Sequence, residues 1–190
     1  MTVIVTTGTI GSLLAVSEES YDDAMYNSFD YFVNHFADVI YDTFSGNGYV
    51  YGTPTNNYFS AHLYGANGNA QFYGSNLISG SSGKLTEIRF QGEGGSFVVK
   101  GSATWNSQRG TLNGSFSSIE THLGSDGLLL EGKMSIDNNG YLVGSVTRQV
   151  IYNGNYTCEY LGRWDVYNLN GTVTKITLTD NAGNSFVATG

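Results

Sequence analysis

Four glycines at similar spacing constrain the fold of this chain more than any other feature. Each lies in the middle of a row in which most alternate residues are apolar, and they are Gly74, Gly101, Gly132 and Gly162. Such rows predict β-strands. After each row a short polar turn leads to a second strand, and these open at Gly83, Gly114, Gly144 and Gly171. The period of roughly 30 residues therefore predicts a series of antiparallel hairpins.

A glycine in the interior of a strand costs packing and backbone entropy, so its recurrence needs a physical reason. On neighbouring strands, the four glycines would form a smooth trough that another element approaches closely. We expect the phenylalanines of a helix to lie over Gly101, Gly132 and Gly162. The second strands also have apolar residues three positions apart, as in Phe116 and Ile119. Either a β-bulge sits there, or both faces of the sheet are partly covered.

One long helix is predicted over residues 17–44, with Ser17 or Ser20 as its cap and Gly46 as its terminator. A broad apolar stripe at spacings of three and four consists of Met25, Phe29, Phe32, Val33, Phe36, Ile40 and Phe44. An amphipathic helix of this kind packs its stripe on a sheet. We expect its acidic outer face to stay in water: Asp30, Asp38 and Asp42.

These elements predict a single α+β domain, mainly β, over residues 1–190. Residues 1–16 are an N-terminal strand and linker, and residues 17–44 are the amphipathic helix. Residues 45–190 form a twisted antiparallel meander of hairpins, with the repeats starting at about residue 70. The helix packs on one face of this sheet. The pattern leaves open whether the strands form a closed barrel, a sandwich or an open sheet.

The charge and the single cysteine exclude several classes of protein. A net charge of −8 disfavours nucleic acid and anionic membranes as partners. No apolar segment has the roughly 20 residues of a membrane span. Cys158 has no second cysteine to pair with, and its apolar surroundings favour a buried, inert thiol. The N-terminus has no features of a cleavable signal peptide, which fits either a cytoplasmic protein or one exported without such a signal.

A short hairpin before the repeats carries the most site-like surface. Its strands are predicted at residues 49–51 and 58–64. Alternation places Tyr58, His62 and Tyr64 on one face of the second strand. Imidazole and phenolate both ligate iron, so this face is a candidate site for haem or another ligand. The alternative is a histidine that is merely exposed or hydrogen-bonded.

Two polar turns contain oxygen ligands that calcium accepts. The candidate residues are Asp137, Asn139, Asp180 and Asn184. The spacing matches neither an EF-hand loop nor the nonapeptide calcium repeat, so an ordinary hairpin turn is the favoured interpretation. No firm metal site is predicted.

The C-terminal residues 185–190 repeat the pattern of residues 96–101, so the chain stops midway through a hairpin. The last strand then has an edge that residues 2–7, of the same chain or of a neighbour, can pair with. The candidate assembly edge consists of Val3, Val5, Phe186 and Ala188. Because no catalytic motif is found, we expect a non-enzymatic structural or adhesive protein. Its partners would be other copies of itself, or a surface glycan stacked on tyrosine.

Two resemblances extend this interpretation. The hairpin segments 132–140 and 171–185 resemble those of bacterial proteins exported by type I secretion, which implies an extracellular or cell-surface location. A helix followed by tyrosine-rich hairpins, with Ala61-His62-Leu63-Tyr64-Gly65, is similar to secreted haem-scavenging hemophores. The second resemblance implies that haem is held by His62 together with Tyr58 or Tyr64.

Overall fold

The computed structural model describes residues 2–4, 10–77, 83–106, 111–137 and 141–190. Within them, one helix, α1, covers Ile10–Ser45. The twelve strands are β1 Thr2–Ile4, β2 Gly48–Tyr51, β3 Tyr58–Leu63, β4 Gly68–Ser75, β5 Lys84–Gly92, β6 Gly95–Asn106, β7 Thr111–Leu123, β8 Asp126–Ile136, β9 Leu142–Asn153, β10 Tyr156–Asp165, β11 Gly171–Asp180 and β12 Ser185–Thr189.

The strands β2–β12 form an antiparallel meander in which each strand pairs with its neighbours in the chain. Strand β1 adds to the outside of β12, where Val3 pairs with Ala188 of the same chain. The sheet is open, and within the described part of the chain its two outermost strands are β1 and β2. This architecture confirms the predicted mainly β fold with one helix packed on one face.

A β-bulge interrupts the second strand of each predicted hairpin, which confirms the first of the two interpretations of the three-residue spacing. Glu131 on β8 pairs with Arg148 on β9. The next residue, Gly132, pairs with Val146, so Thr147 is left as the extra residue. A bulge turns the side chains that follow it to the other face, which changes the apolar spacing from two to three. The extra residues of the other hairpins are Thr86, Ser117 and Thr174.

The backbone of the adjacent strand explains the central glycines. A Cβ at Gly132 would fall on the carbonyl oxygen of Ser145, and Gly74, Gly101 and Gly162 face backbone oxygens of their neighbours in the same way. The predicted trough under helical phenylalanines is therefore wrong. The helix does approach other glycines closely: a Cβ at Gly95 would meet the ring of Tyr31, and a Cβ at Gly65 would meet the carboxylate of Asp42.

The helix packs across β7, β8 and β9, on the side of the sheet that we call the inner face. The rings of Phe32 and Phe97 meet edge to face, with centroids 5.4 Å apart. Phe36 contacts Phe116 in the same way at 6.0 Å. These four phenylalanines are buried, and burial of each aromatic ring contributes about 1.5–3 kcal/mol. The predicted apolar stripe is thus the surface that attaches the helix to the sheet.

The helix begins at Ile10 instead of at Ser17, so residues 10–16, predicted as part of the linker, are helical. Leucine and alanine are strong helix formers, and Leu13, Leu14 and Ala15 extend the helix beyond the expected cap. The predicted terminator is confirmed, because Gly46 has the left-handed conformation that ends helices (φ +72°). The side chains of Met25 and Phe44 lie outside the described part of the structure.

The predicted acidic outer face is correct for Asp30 and Asp38, which are exposed, but wrong for Asp42. Asp42 is only 3% exposed, and its Oδ2 accepts a hydrogen bond from the backbone N–H of Ala66 at 3.0 Å. The turn between β3 and β4 folds back over the end of the helix and supplies this donor. Helical periodicity alone contains no information about that turn.

Candidate interaction surface

The outermost strand β2 presents large side chains to solvent on both of its faces. Tyr49 is 60% exposed, Val50 43% and Tyr51 47%. On one side β2 pairs with β3, with Val50 opposite Ala61. Within the described residues, no strand pairs with its other side. An apolar edge strand of this kind is a template for the addition of another strand.

A largely apolar cavity lies beside Val50 on the inner face. Its volume is about 230 Å³, and its walls include Phe59, Ala61, Leu63 and Leu77, with Asp42 and Thr43 of the helix at one side. A cavity of about 150 Å³ is enough for a benzene molecule. The space next to the edge strand therefore accommodates one aromatic or branched apolar side chain from an added strand.

The outer face of the same hairpin carries the predicted ligand residues. Strand pairing places Tyr49 opposite His62. The rings of His62 and Tyr64 lie 5.4 Å apart, edge to face, although Tyr64 belongs to the turn after β3 and not to the strand. The Nδ1 atom of His62 is 3.2 Å from Oδ1 of Asn69. Tyr58 stacks obliquely on Tyr73 at 5.0 Å, at the far end of the strand from His62.

At the opposite end of the sheet, the predicted assembly residues are partly covered. Ala188 is buried, and Val3 of the same chain pairs with it. Phe186 is half-buried, packs against the core and pairs with Leu178 on β11. Val5 lies outside the described residues. The short strand β1, and not β12, is thus the outermost strand at this end.

The two turns proposed for calcium are held by their own hydrogen bonds. Oδ1 of Asp137 accepts the N–H of Tyr141 at 2.9 Å. Both carboxylate oxygens of Asp180 accept hydrogen bonds from Asn184, each at 2.8 Å. The side-chain bond from Asn184, followed by the backbone bonds, lowers the pKa of Asp180. Asn139 lies outside the described residues, and calcium at either turn stays a prediction.

The single cysteine and the two other histidines contact neighbouring side chains of the fold. Cys158 is buried, as predicted, and burial raises the pKa of its thiol despite a hydrogen bond with Tyr160. His35 stacks on Tyr31 at 3.8 Å. His122 lies 3.0 Å from a carboxylate oxygen of Glu120. Among the described residues, no group of three or more His, Cys, Asp and Glu side chains is placed to hold a metal ion.

Sequence reasoning placed the hairpin of β2 and β3 correctly but missed the position of β2 at the edge of the sheet. The order of the elements contains the missing information, because in a meander that keeps chain order the first strand after the helix is outermost.

The chain matches no known protein-family model, no curated protein and no solved structure. Among the helical residues that the structure describes, no segment is long and apolar enough to cross a membrane.

Proposed function

We propose that this is a non-enzymatic, extracellular structural or adhesive protein that self-associates through its sheet edges. The observation that carries the proposal is the position of Val50, on the outermost strand and beside an apolar cavity. A strand added to β2 would satisfy backbone groups and cover this valine in one step. Main-chain hydrogen bonds would give the affinity, and the cavity would select the side chain.

The partner surface is the other end of the sheet in a second copy. Strand β1 is held by three residue pairs along β12, and β2 has four residues. When β2 of one copy pairs with the β1 and β12 end of the next, the sheet continues from copy to copy. Such a head-to-tail contact does not close on itself, and it builds an open filament.

Light scattering after size exclusion, over a concentration series, tests the proposal. We expect the mass to rise with concentration, and Val50→Lys to abolish the rise, because lysine blocks edge pairing. The matched control is Val173→Lys, since Val173 is 42% exposed but lies on an internal strand, β11. A wild-type protein that stays monomeric throughout contradicts the proposal. So does an equal loss of assembly in both variants.

A truncation tests the other edge. Removing residues 1–8 takes away β1 and uncovers β12, so we expect the concentration dependence of the mass to change. Circular dichroism and thermal unfolding of the truncated protein show that the remaining sheet is folded. If it folds and assembles as the full chain does, β1 and β12 do not form the partner edge.

Haem binding at the outer face is a second candidate, favoured by the adjacent rings of His62 and Tyr64. A hydrogen bond from Nδ1 of His62 to Oδ1 of Asn69 would hold the imidazole and leave Nε2 as the nitrogen that ligates iron. Titration with haemin should then shift and sharpen its Soret band, and His62→Gln should remove this change. The control is His122→Gln, on a different hairpin. A Soret band that the wild-type protein leaves as in free haemin eliminates this candidate.

A further inference from the structure

A second cavity opens between the helix and the sheet, away from β2. Its volume is about 420 Å³, within the usual range of roughly 300–1,000 Å³ for small-molecule sites. The sheet side of the cavity is formed by the buried Leu128 and Leu130 of β8 and by the buried Gln149 of β9. The helix and the loop after β10 supply the other walls. Nothing in the proposed edge pairing uses this cavity.

Four aromatic side chains line it: Tyr26, Phe29, Trp164 and Tyr167. The faces of aromatic rings carry partial negative charge, which attracts cations placed over them. The exposed carboxylate of Asp30 is also in the wall, and no Lys, Arg or His is among the described residues that line the cavity. The net charge of the chain, −8, also favours the binding of cations. The cavity is thus lined mainly by apolar and aromatic side chains, and its one charged lining residue among those described is an acid.

The loop that carries Tyr167 is fixed before any ligand arrives. Oδ1 of Asp165 accepts the N–H groups of Tyr167 and Asn168, at 2.9 and 3.0 Å. The ring of Tyr167 also packs against Tyr141, with centroids 5.7 Å apart. A wall that is already ordered loses little conformational entropy when it binds a ligand.

We propose that this cavity binds an organic cation of the alkylated ammonium class. The aromatic rings contact its charged, methylated head, Asp30 lies beside the charge, and the leucines of β8 accept its apolar part. A hydrated inorganic cation gains nothing from these leucines, and a neutral apolar molecule gains nothing from Asp30. The combination selects a ligand that has both characters.

The probe is choline, compared with its neutral isostere in which carbon replaces the quaternary nitrogen. Indole N–H signals in NMR report on the site, because the chain has two tryptophans, Trp105 and Trp164. Trp105 lies on β6, four strands from β10, and serves as an internal reference. We expect choline to shift the Trp164 signal alone, and to bind at least about tenfold more tightly than the isostere.

Two matched variants test the role of the carboxylate. Asp30→Asn should weaken choline binding about fivefold to tenfold and leave binding of the isostere unchanged. The control is Asp38→Asn, on the same helix, exposed and outside the cavity. Equal binding of choline and the isostere overturns the proposal, as does a failure of choline to shift Trp164. An equal effect of both variants shows that overall charge, and not this site, attracts the cation.

Discussion

The hydroxyl of Thr147 donates a hydrogen bond to the carbonyl oxygen of Glu131 on the neighbouring strand, at 3.2 Å. Glu131 immediately precedes the central glycine of its repeat, and Thr147 is the extra residue of the bulge. The same bond recurs in the other three hairpins, from Thr86 to Tyr73, from Ser117 to Lys100 and from Thr174 to Leu161. At each of the four bulges, a hydroxyl residue thus donates to the carbonyl oxygen of the residue that precedes the central glycine.

The first prediction concerns the central glycine beside the bulge. Gly132→Ala should destabilise the protein by roughly 1–3 kcal/mol, because the new Cβ meets the carbonyl oxygen of Ser145 and a strand must move. Gly154→Ala is the control, since its Cβ would contact only the side chain of Ser125. Urea unfolding of both variants measures the difference. Equal free energies of unfolding would show that the close approach at Gly132 is relieved without cost.

The second prediction concerns the hydroxyl. Thr147→Val keeps the shape of the side chain but removes the donor, and should cost about 0.5–1.5 kcal/mol. Thr104 is an exposed strand threonine outside any bulge, so Thr104→Val is the matched substitution. Thermal unfolding of the two variants gives the comparison. If valine is tolerated equally well at both positions, the bulge does not depend on its hydroxyl.

The third prediction concerns the buried carboxylate of the helix. Asp42→Ala leaves the N–H of Ala66 without its partner, and should lower the free energy of unfolding by about 1–3 kcal/mol. Asp38→Ala, four residues earlier on an exposed position, should have little effect. Denaturant unfolding distinguishes them. A loss of stability that is the same for both would indicate a general effect on the helix.

The fourth prediction concerns alkaline pH. Burial raises the pKa of Cys158, and of Tyr31 and Tyr152, above their ordinary values. A group whose pKa is higher in the folded state contributes stability that is complete below its unfolded pKa and is lost as the pH rises through the folded one. The free energy of unfolding should therefore fall above about pH 8.5, where an unfolded thiol ionises. Cys158→Ala should flatten the first part of this decline, and an unchanged slope would show that the thiol does not contribute.

The sequence predicted the hairpins because two signals coincide in each of them, an alternating apolar row and a polar turn. It also predicted the apolar face of the helix, where Phe32 and Phe36 are buried. A three-residue spacing such as that of Phe116 and Ile119 is compatible both with a bulge and with burial of both faces, because it does not specify the pairing with the neighbouring strand. The residue-by-residue pairing of the two strands decides between a bulge and burial of both faces, and the sequence does not specify that pairing.

The errors arose where tertiary contacts outweigh local pattern. Asp42 lies on the polar side of the helical stripe, yet a distant turn buries it. Gly132 was assigned to a helix contact, whereas the neighbouring backbone occupies the space beside it. The cavity wall formed by Trp164 and Tyr26 also brings together residues far apart in the chain. Predicting it requires knowledge of where the helix crosses the sheet.

Edge pairing, the central claim of the proposed function, is tested most directly by amide hydrogen exchange in β2. Edge pairing should increase the protection of peptides covering Gly48–Tyr51 as the protein concentration rises, because a strand from a second copy engages their backbone. Peptides from the adjacent loop, residues 52–57, should exchange at a constant rate. If β2 exchanges equally fast at all concentrations while the mass of the protein grows, the copies associate through another surface and the account is contradicted.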